Sequence, residues 1–165
     1  MRVGIISDTH DNVEAVRAAT DVFAAENVVE VVHCGDVVAP PVVPFFEGFV
    51  VHAVIGNNDG ELDGLDRAIR NLGGDSALHG RFADLTFDGV RVAVLHGEDR
   101  ADVEALARSG DYDVVCYGHH HEAEVREEDG TTVVNPGAHF PTVPEADRSV
   151  AVLDTVTGEV ELHDL

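Results

Sequence analysis

The sequence predicts an α/β protein in which buried strands alternate with amphipathic helices. Short runs of β-branched and apolar residues, such as Val3 to Ile6, have the composition of strands buried on both faces. Between such runs lie segments such as Asn12 to Asn27, where apolar residues recur every three or four positions, as on one face of a helix. Polar residues directly follow several of the strands, which indicates a site at one edge of a sheet.

The first half of the chain contains three of these buried strands. Asp11-Asn12 offers a cap for the first helix, and the three prolines between positions 40 and 44 fit the start of a short second one. Gly73-Gly74 ends the helix that follows the third strand. The predicted elements are strands Val3 to Ile6, Val28 to Val32 and Phe49 to Ile55, and helices Asn12 to Asn27 and Leu62 to Leu72.

The second half of the chain is rich in hairpins. Asp88-Gly89, Asp129-Gly130 and Thr157-Gly158 each predict a turn between antiparallel strands. The predicted elements are helix Asp102 to Ser109 and strands Arg81 to Phe87, Val90 to Leu95, Val114 to Tyr117, Glu122 to Glu128, Thr131 to Asn135, Val150 to Leu153 and Glu159 to Leu162. Because no linker or repeat interrupts the chain, we expect a single domain over residues 1–165.

The charge balance is strongly acidic. The chain has 32 Asp and Glu residues against ten arginines and no lysine, which gives a formal net charge of -22. Such a surface repels phosphate backbones, so we expect no binding of nucleic acids, although small anions could bind where metals supply positive charge. The acidic excess without lysine also resembles proteins of halophiles, in which molar salt screens the self-repulsion.

Cysteine content and hydropathy bear on the compartment. Cys34 and Cys116 lie in apolar runs without zinc-type spacing, which predicts buried thiols in a reducing environment. No apolar stretch approaches the ~20 residues that span a bilayer. We therefore expect a cytoplasmic protein that does not bind membranes, and a homo-oligomer is left open.

Five of the predicted strands end in residues that can bind a metal. In chain order these residues are Asp8 with His10, Asp36, Asn57, His96, and His119 with His121. Oxygen and imidazole ligands without thiolates suit manganese, iron, nickel, cobalt or zinc. Seven ligands exceed one tetrahedral sphere and fit two adjacent divalent ions that share a carboxylate.

Several of these residues have a plainer interpretation when taken alone. The segment from Asn57 to Gly60 could be an ordinary turn, and His33 is favoured as a hydrogen-bonded core histidine. Along an extended segment His119 and His121 would point to one side and His120 to the other, so His120 is expected to be a bystander. It is the repetition at five strand ends that favours a metal site.

The order of the motifs Asp-x-His, Gly-Asp, Gly-Asn, His-Gly, Gly-His-x-His and Asn-Pro-Gly resembles that of the calcineurin-like metallophosphoesterases, most closely their compact single-domain phosphodiesterases. The resemblance implies a four-layer α/β/β/α sandwich of two mixed sheets flanked by helices. It implies that Asp36 bridges two metals and that Asp36, Asn57 and His96 contribute directly to catalysis. The first metal would be held by Asp8, His10, Asp36 and His121, and the second by Asp36, Asn57, His96 and His119.

The function that these residues predict is metal-dependent hydrolysis of small phosphodiesters, with manganese or nickel favoured. Two divalent ions, two carboxylates and a bridging hydroxide leave a net charge of about +1, which matches a singly charged diester better than a monoester dianion. We expect in-line attack of the metal-bridging hydroxide on phosphorus.

The resemblance is incomplete at two positions. Asn58 and Glu98 stand where many or some relatives have histidines, which puts protonation of the leaving group in doubt and leaves His139 and His33 as candidate acids. The alternative function is a non-catalytic scaffold resembling the retromer subunit built on the same fold.

Overall fold

A computed structural model describes residues 1–140, 142 and 147–165, and their regular elements alternate in the order expected of an α/β protein. The strands are β1 Arg2–Ile6, β2 Glu30–His33, β3 Val50–Ala53, β4 Ala77–Leu78, β5 Phe82–Phe87, β6 Val90–Leu95, β7 Val114–Cys116, β8 Glu124–Glu128, β9 Thr131–Asn135, β10 Ser149–Asp154 and β11 Val160–Asp164. The helices are α1 Val13–Ala25, α2 Leu62–Arg70 and α3 Arg100–Arg108, with a 3₁₀ helix at Pro40–Phe46.

The strands form two mixed sheets. The first sheet has the order β11-β10-β1-β2-β3-β4, and its four neighbouring strands β1 to β4 run parallel. The second sheet has the order β5-β6-β7-β9-β8, with β6, β7 and β9 parallel in its middle. The hairpins predicted at Asp88-Gly89, Asp129-Gly130 and Thr157-Gly158 join β5 to β6, β8 to β9 and β10 to β11 as antiparallel pairs.

Three hydrophobic clusters separate four layers. The largest packs Val16, Phe23 and Leu65 of the first two helices against the outer face of the first sheet. A second cluster lies between the sheets and includes both cysteines, and a third packs Val103 of α3 against the second sheet. The predicted α/β/β/α sandwich is therefore confirmed, and each apolar strand is buried on two faces because a layer covers each side.

The helix boundaries follow their capping residues. The side chain of Asn12 accepts a hydrogen bond from the backbone N–H of Ala15, as predicted for the start of α1. Helix α3 begins at Arg100, two residues before the predicted start at Asp102, because the side chain of Asp99 accepts from Ala101 N–H. The sequence pattern identified the apolar face of α3 but not this cap.

The main omission of the sequence prediction is β4, a two-residue strand at the edge of the first sheet. A strand this short has no readable alternation. The third strand also ends earlier than predicted, at Ala53. The backbone N–H of Ile55 donates to Gly80 O, which lies outside the regular strands. Neither difference changes the order of the elements or which loops follow the parallel strands.

Candidate metal centre

The predicted ligands all lie in loops that follow parallel strands. Asp8 and His10 follow β1, Asp36 follows β2 and Asn57 follows β3 in the first sheet. In the second sheet His96 follows β6, and His119 and His121 follow β7. The carboxyl ends of the parallel strands in both sheets therefore meet at one edge of the sandwich, where ligands bind in open α/β sheets.

All seven side chains are brought together into one continuous cluster. Each polar atom lies within 3.8 Å of the next. The distances are 3.8 Å from His10 Nε2 to Asp8 Oδ1, 3.2 Å from His121 Nε2 to Asp8 Oδ1, 3.4 Å from His10 Nε2 to Asp36 Oδ2, 3.4 Å from His96 Nε2 to Asp36 Oδ2, 3.0 Å from His96 Nε2 to Asn57 Oδ1 and 2.9 Å from His119 Nδ1 to Asn57 Oδ1.

The carboxylate of Asp36 occupies the middle of this cluster. Its Oδ2 atom is equally distant from His10 and His96, which belong to the two halves of the site. On one side Asp8, His10 and His121 form a compact group of possible ligands, and on the other Asp8, Asp36 and His96 form a second. The position of Asp36 between the two halves is the one that a bridging ligand would need.

The backbone conformation at the site is unusual. Asp8, His10, Asp36, His119 and His121 have positive φ angles of 51°, 44°, 58°, 64° and 60°. This left-handed region is sparsely populated by residues other than glycine, although Asp and His tolerate it better than most. Each such residue costs of order 1–3 kcal/mol and persists only where the surroundings hold it, which is typical of functional sites.

Glycines make the close approach of these loops possible. A Cβ atom on Gly35 would lie 2.8 Å from both Gly56 N and His96 Nδ1, so only glycine fits beside Asp36. A Cβ on Gly118 would lie 1.9 Å from Ser7 Oγ and 2.5 Å from Asp8 Oδ2. Steric contacts therefore explain why glycine precedes the predicted ligands Asp36 and His119, as the sequence suggested for Gly35.

The expected arrangement of the three adjacent histidines is correct, but the reason given for it is wrong. His119 contacts Asn57 and His121 contacts Asp8, whereas His120 turns away and its Nε2 lies 3.0 Å from Gly97 O. The segment is not extended, because His119 and His121 are left-handed. Two left-handed residues, and not strand alternation, direct these two side chains into the site.

Asp8 is buried and held by several donors. Its Oδ2 accepts hydrogen bonds from Ser7 Oγ at 2.6 Å and from the backbone N–H of His119 at 3.0 Å. Burial acts to raise the pKa of the Asp8 carboxyl, but interactions with His10 and Ser7 outweigh it, and the pKa lies below its ordinary value. Asp8 is therefore a fixed negative charge at the base of the site.

His96 is oriented from behind by the main chain. Its Nδ1 lies 2.8 Å from Cys34 O, so that Nδ1–H donates to this carbonyl and Nε2 faces Asp36 and Asn57. Burial acts to lower the pKa of His96, but Asp36 and the other acceptors raise it to about 9. Because both ring nitrogens face acceptors, the site stabilises the protonated, positively charged form of His96.

Asp36 is the negatively charged partner of His96. Burial acts to raise the pKa of the Asp36 carboxyl, but hydrogen bonds from His96 and Asn58 hold it well below its ordinary value. Asn58 donates twice, from its backbone N–H to Oδ1 at 2.8 Å and from Nδ2 to Oδ2 at 2.7 Å. Asn58 therefore orients the central carboxylate, a role that the sequence did not reveal.

Asp59 is a second residue that sequence reasoning missed. Its carboxylate accepts from the backbone N–H groups of Asp36 at 3.0 Å, Val38 at 2.7 Å and Gly56 at 2.7 Å. It thus ties the loop after β2 to the loop after β3. The only available signal was its place in Asn-Asn-Asp-Gly, a pattern that equally describes a solvent-exposed turn.

The donor set fits divalent metal ions. His10 Nε2 is buried and has no hydrogen-bond partner among the described residues, although it faces Asp8 and Asp36 at 3.8 Å and 3.4 Å. Asp8 foremost, with Asp36, raises the pKa of His10 although burial acts to lower it, because the carboxylates favour a positive charge beside Nε2. A ring nitrogen that faces two carboxylates is also a favourable arrangement for a cation held by nitrogen and oxygen ligands.

The two candidate acids are poorly suited to donate a proton. His33 is buried, accepts from Gly35 N–H at its Nδ1 and contacts Thr9 Oγ1 through Nε2 at 3.1 Å, which agrees with the core histidine that we favoured. Burial lowers the pKa of His33 to about 4 and that of His139 also to about 4. Both are neutral at pH 7 and cannot act as imidazolium acids there.

Positive side chains lie mainly in surface pairs. Arg100, the arginine closest in sequence to a ligand motif, pairs with Glu122 at 3.2 Å, and Arg81 pairs with Glu98 at 2.8 Å. Both pairs are largely exposed. Glu98 therefore contacts a surface arginine where some relatives of the expected family carry a histidine.

No helix in the described part of the chain is long and apolar enough to cross a membrane.

The chain is similar to proteins of a known family. Residues 1–158 match the model of the calcineurin-like phosphoesterase superfamily domain. A phosphodiesterase of Methanocaldococcus jannaschii is 36% identical over 164 residues, with 96% of each chain covered. A probable metallophosphoesterase of Methanothermobacter thermautotrophicus is 34% identical, with 96% of this chain and 88% of the relative covered.

Solved structures share the same architecture. A structure described as that of a novel archaeal phosphodiesterase is 35% identical, covers both chains completely and superimposes with a TM-score of 0.90. Vps29 of Chaetomium thermophilum is 17% identical with a TM-score of 0.70, over 100% of this chain and 95% of its own. At that identity the second likeness shows the fold alone.

Proposed function

The chain belongs to the calcineurin-like phosphoesterase superfamily, and from this premise we propose that it is a metal-dependent phosphodiesterase acting on small diesters. The sequence similarity to a phosphodiesterase of M. jannaschii over 96% of both chains supports this activity. The observation that carries the proposal is the convergence of seven nitrogen and oxygen donors, with contacts of at most 3.8 Å between neighbours, at the carboxyl ends of the parallel strands.

We propose two metal positions that share Asp36. Asp8, His10, Asp36 and His121 would hold one ion, and Asp36, Asn57, His96 and His119 would hold the other. When bound, divalent ions supply a water of lowered pKa and positive charge for the phosphoryl oxygens. The donor set contains imidazole and oxygen ligands without thiolates, which suits manganese, iron, nickel, cobalt or zinc, and manganese and nickel remain our preferred candidates.

The residues of the chain then have distinct roles. Asp36 sets the separation of the two halves and is itself oriented by Asn58. His96, fixed by Cys34 O, and Asn57, whose Oδ1 lies between His96 and His119, present their donor atoms at the centre of the site. We propose that Asp36, Asn57 and His96 form the catalytic group because all three line the middle of the cluster.

A diester substrate suits the charge of the site. Asp8 and Asp36 are both held ionised, so they offset part of the charge that two divalent ions bring. The remaining charge of about +1, after a hydroxide is counted, balances one phosphodiester anion. Arg100, the arginine closest in sequence to a ligand motif, pairs with Glu122 at 3.2 Å and is thus engaged away from the second charge that a monoester would bring.

Hydrolysis of bis-p-nitrophenyl phosphate by manganese-loaded protein tests the proposal. We expect release of p-nitrophenolate that depends on added metal, together with much slower release from p-nitrophenyl phosphate, the matched monoester. Equal rates with the two substrates would contradict the diester assignment. No release from either substrate by fully metallated protein would favour the non-catalytic scaffold, which gains no support from the intact and convergent ligand set.

Some expectations from the sequence stay predictions. These are the single domain over residues 1–165, the adaptation to high salt, the cytoplasmic location, the absence of nucleic-acid binding and any homo-oligomer.

A further inference from the structure

A cavity of about 370 Å³ lies beside the candidate metal centre. It is bounded by the start of helix α1, the segment after the Asn-Pro-Gly turn and residues near the end of β11. Its lining includes Asn12, Ala15, Ala18, His139, Phe140 and Arg148. A cavity of this size is within the range of small-ligand sites and can hold one ring-sized group, but not a second folded segment.

The cavity adjoins the metal centre through one aromatic ring. The ring of Phe140 packs edge-on against two predicted ligands, with centroid distances of 4.7 Å to His10 and 4.6 Å to His121. The backbone N–H of His139 donates to Asp8 O at 3.1 Å. The same short segment therefore contacts the ligands on one side and lines the cavity on the other.

The cavity is lined by both apolar and polar residues. Ala15 and Ala18 are small, so the space beside Phe140 is not filled by side chains of α1. Asn12 donates from Nδ2 to His139 O, which fixes both residues. His139 is 2% exposed, and its Nε2 has no hydrogen-bond partner among the described residues. A flat ring carrying a polar atom would suit this lining.

We propose that this cavity binds the ester arm that remains on phosphorus, an arm of the size of one aryl ring. The inference rests on the proposed phosphodiesterase function and names the class of diester that the site prefers. The retained arm is favoured over the leaving arm because a leaving oxygen needs a proton. His139, the histidine of this lining, is 2% exposed, so its ring cannot approach such an oxygen as an acid.

Two diesters with the same leaving group test the assignment. Methyl p-nitrophenyl phosphate and phenyl p-nitrophenyl phosphate both release p-nitrophenolate and differ in the retained arm. We expect kcat/KM of the native protein to favour the phenyl diester. Ala18→Phe, which fills the cavity, should lower the ratio of the two kcat/KM values about tenfold, as expected for the loss of one ring contact of about 1.4 kcal/mol. Ala18→Leu should give an intermediate ratio.

Ala24→Phe is the matched control, because Ala24 lies in the same helix and is exposed. This variant should keep the native ratio. Thermal melts of the three variants show whether each is folded. A native ratio in folded Ala18→Phe and Ala18→Leu would overturn the proposal, and so would an equal loss for both diesters, which would assign the leaving arm to the cavity.

A binding measurement separates this inference from the proposed activity. With zinc-loaded protein, a ligand-observed NMR titration should give tighter binding of methyl phenyl phosphate than of dimethyl phosphate, and Ala18→Phe should abolish the difference. Absence of hydrolysis together with this loss would refute the phosphodiesterase and retain the cavity as a ring-binding site. Equal binding of the two ligands by the native protein would refute the cavity assignment even if both nitrophenyl diesters are hydrolysed.

Discussion

Two clusters of histidines in this molecule differ in how their ring nitrogens are satisfied. At the edge of the first sheet, His52 Nε2 lies 2.9 Å from Glu30 Oε2 and His52 Nδ1 lies 3.0 Å from His79 Nε2. These three side chains form a linear chain in which each proton has one acceptor. At the candidate metal centre, several nitrogens and carboxylate oxygens instead converge on the same space.

The difference distinguishes a self-contained hydrogen-bond network from a cluster that is suited to bind a cation. In the first cluster both ring nitrogens of His52 have one partner each, Glu30 at Nε2 and His79 at Nδ1. Burial and the neighbouring His52 lower the pKa of His79, which agrees with a neutral His79 ring. At the candidate metal centre His10 Nε2 has no hydrogen-bond partner among the described residues but faces two carboxylates, and the pKa of His96 is raised to about 9. Convergent acceptors favour a bound cation there.

The largest effect is expected when the central carboxylate is removed. Asp36→Ala should lower the rate of diester hydrolysis by about 10³-fold or more, because the loss of the shared ligand removes several kcal/mol of transition-state stabilisation. Steady-state rates with bis-p-nitrophenyl phosphate at saturating manganese measure the change.

His120→Ala is the control for Asp36→Ala, since His120 lies between two predicted ligands in the loop after β7 and its Nε2 faces Gly97 O and not the cluster. This variant should retain nearly the native rate. Equal losses in the two variants would remove the distinction between a side chain inside the cluster and one directed away from it.

Acid should destabilise the protein through its buried neutral histidines. The pKa of His33 is about 4 in the folded state, below the value of about 6.5 in an unfolded chain. Its contribution to stability is therefore complete above pH 6.5 and is lost as the pH falls toward 4, up to about 3 kcal/mol in all. His33→Gln should reduce the pH dependence of the free energy of unfolding by up to about 1.4 kcal/mol per pH unit in this range.

Urea titrations at several pH values and constant molar salt measure that slope. An unchanged slope in a folded His33→Gln protein would show that burial does not hold His33 neutral.

Breaking the second cluster should affect stability and not metal binding. His52→Leu leaves the Glu30 carboxylate and the His79 ring without their partner, which should cost roughly 1–3 kcal/mol of the free energy of unfolding. Metal content and the rate of diester hydrolysis should remain native when the protein is folded. Loss of metal from this variant would mean that the two clusters are coupled, and the comparison between them would fail.

The smallest expected effect concerns the leaving group. With neutral His33 and His139 and no histidine at position 58, rates should fall steeply as the leaving-group pKa rises. Asn58→His should raise the rates of alkyl diesters about tenfold relative to aryl diesters, within the range of general acid catalysis. A series of diesters with graded leaving groups gives this slope, and a shallow slope in the native protein would show that another acid acts.

The sequence was sufficient for the order of elements because buried parallel strands are recognisable from their apolar runs. It also identified the loops that carry Asp8, Asp36 and His96, since glycine and polar residues follow those runs directly. The alternation of β5 and the turn at Asp88-Gly89 similarly predicted a hairpin that the structure contains.

What the sequence could not supply depends on contacts between distant residues. Asp59 supports the site through three backbone N–H groups of two loops, and nothing in its local pattern distinguishes it from a turn residue. The left-handed backbone of His119 and His121 replaced the extended conformation that we expected. The cavity beside Phe140 arises only when helix α1 packs near the segment after the Asn-Pro-Gly turn.

The metal content of the purified chain tests the central claim most directly. After removal of bound metal, reconstitution with manganese or nickel and removal of the excess, elemental analysis should give about two ions per chain for the native protein and fewer for Asp36→Ala. His52→Leu, analysed in parallel, should also give about two. A single ion or none in the native protein would contradict two metal positions that share Asp36.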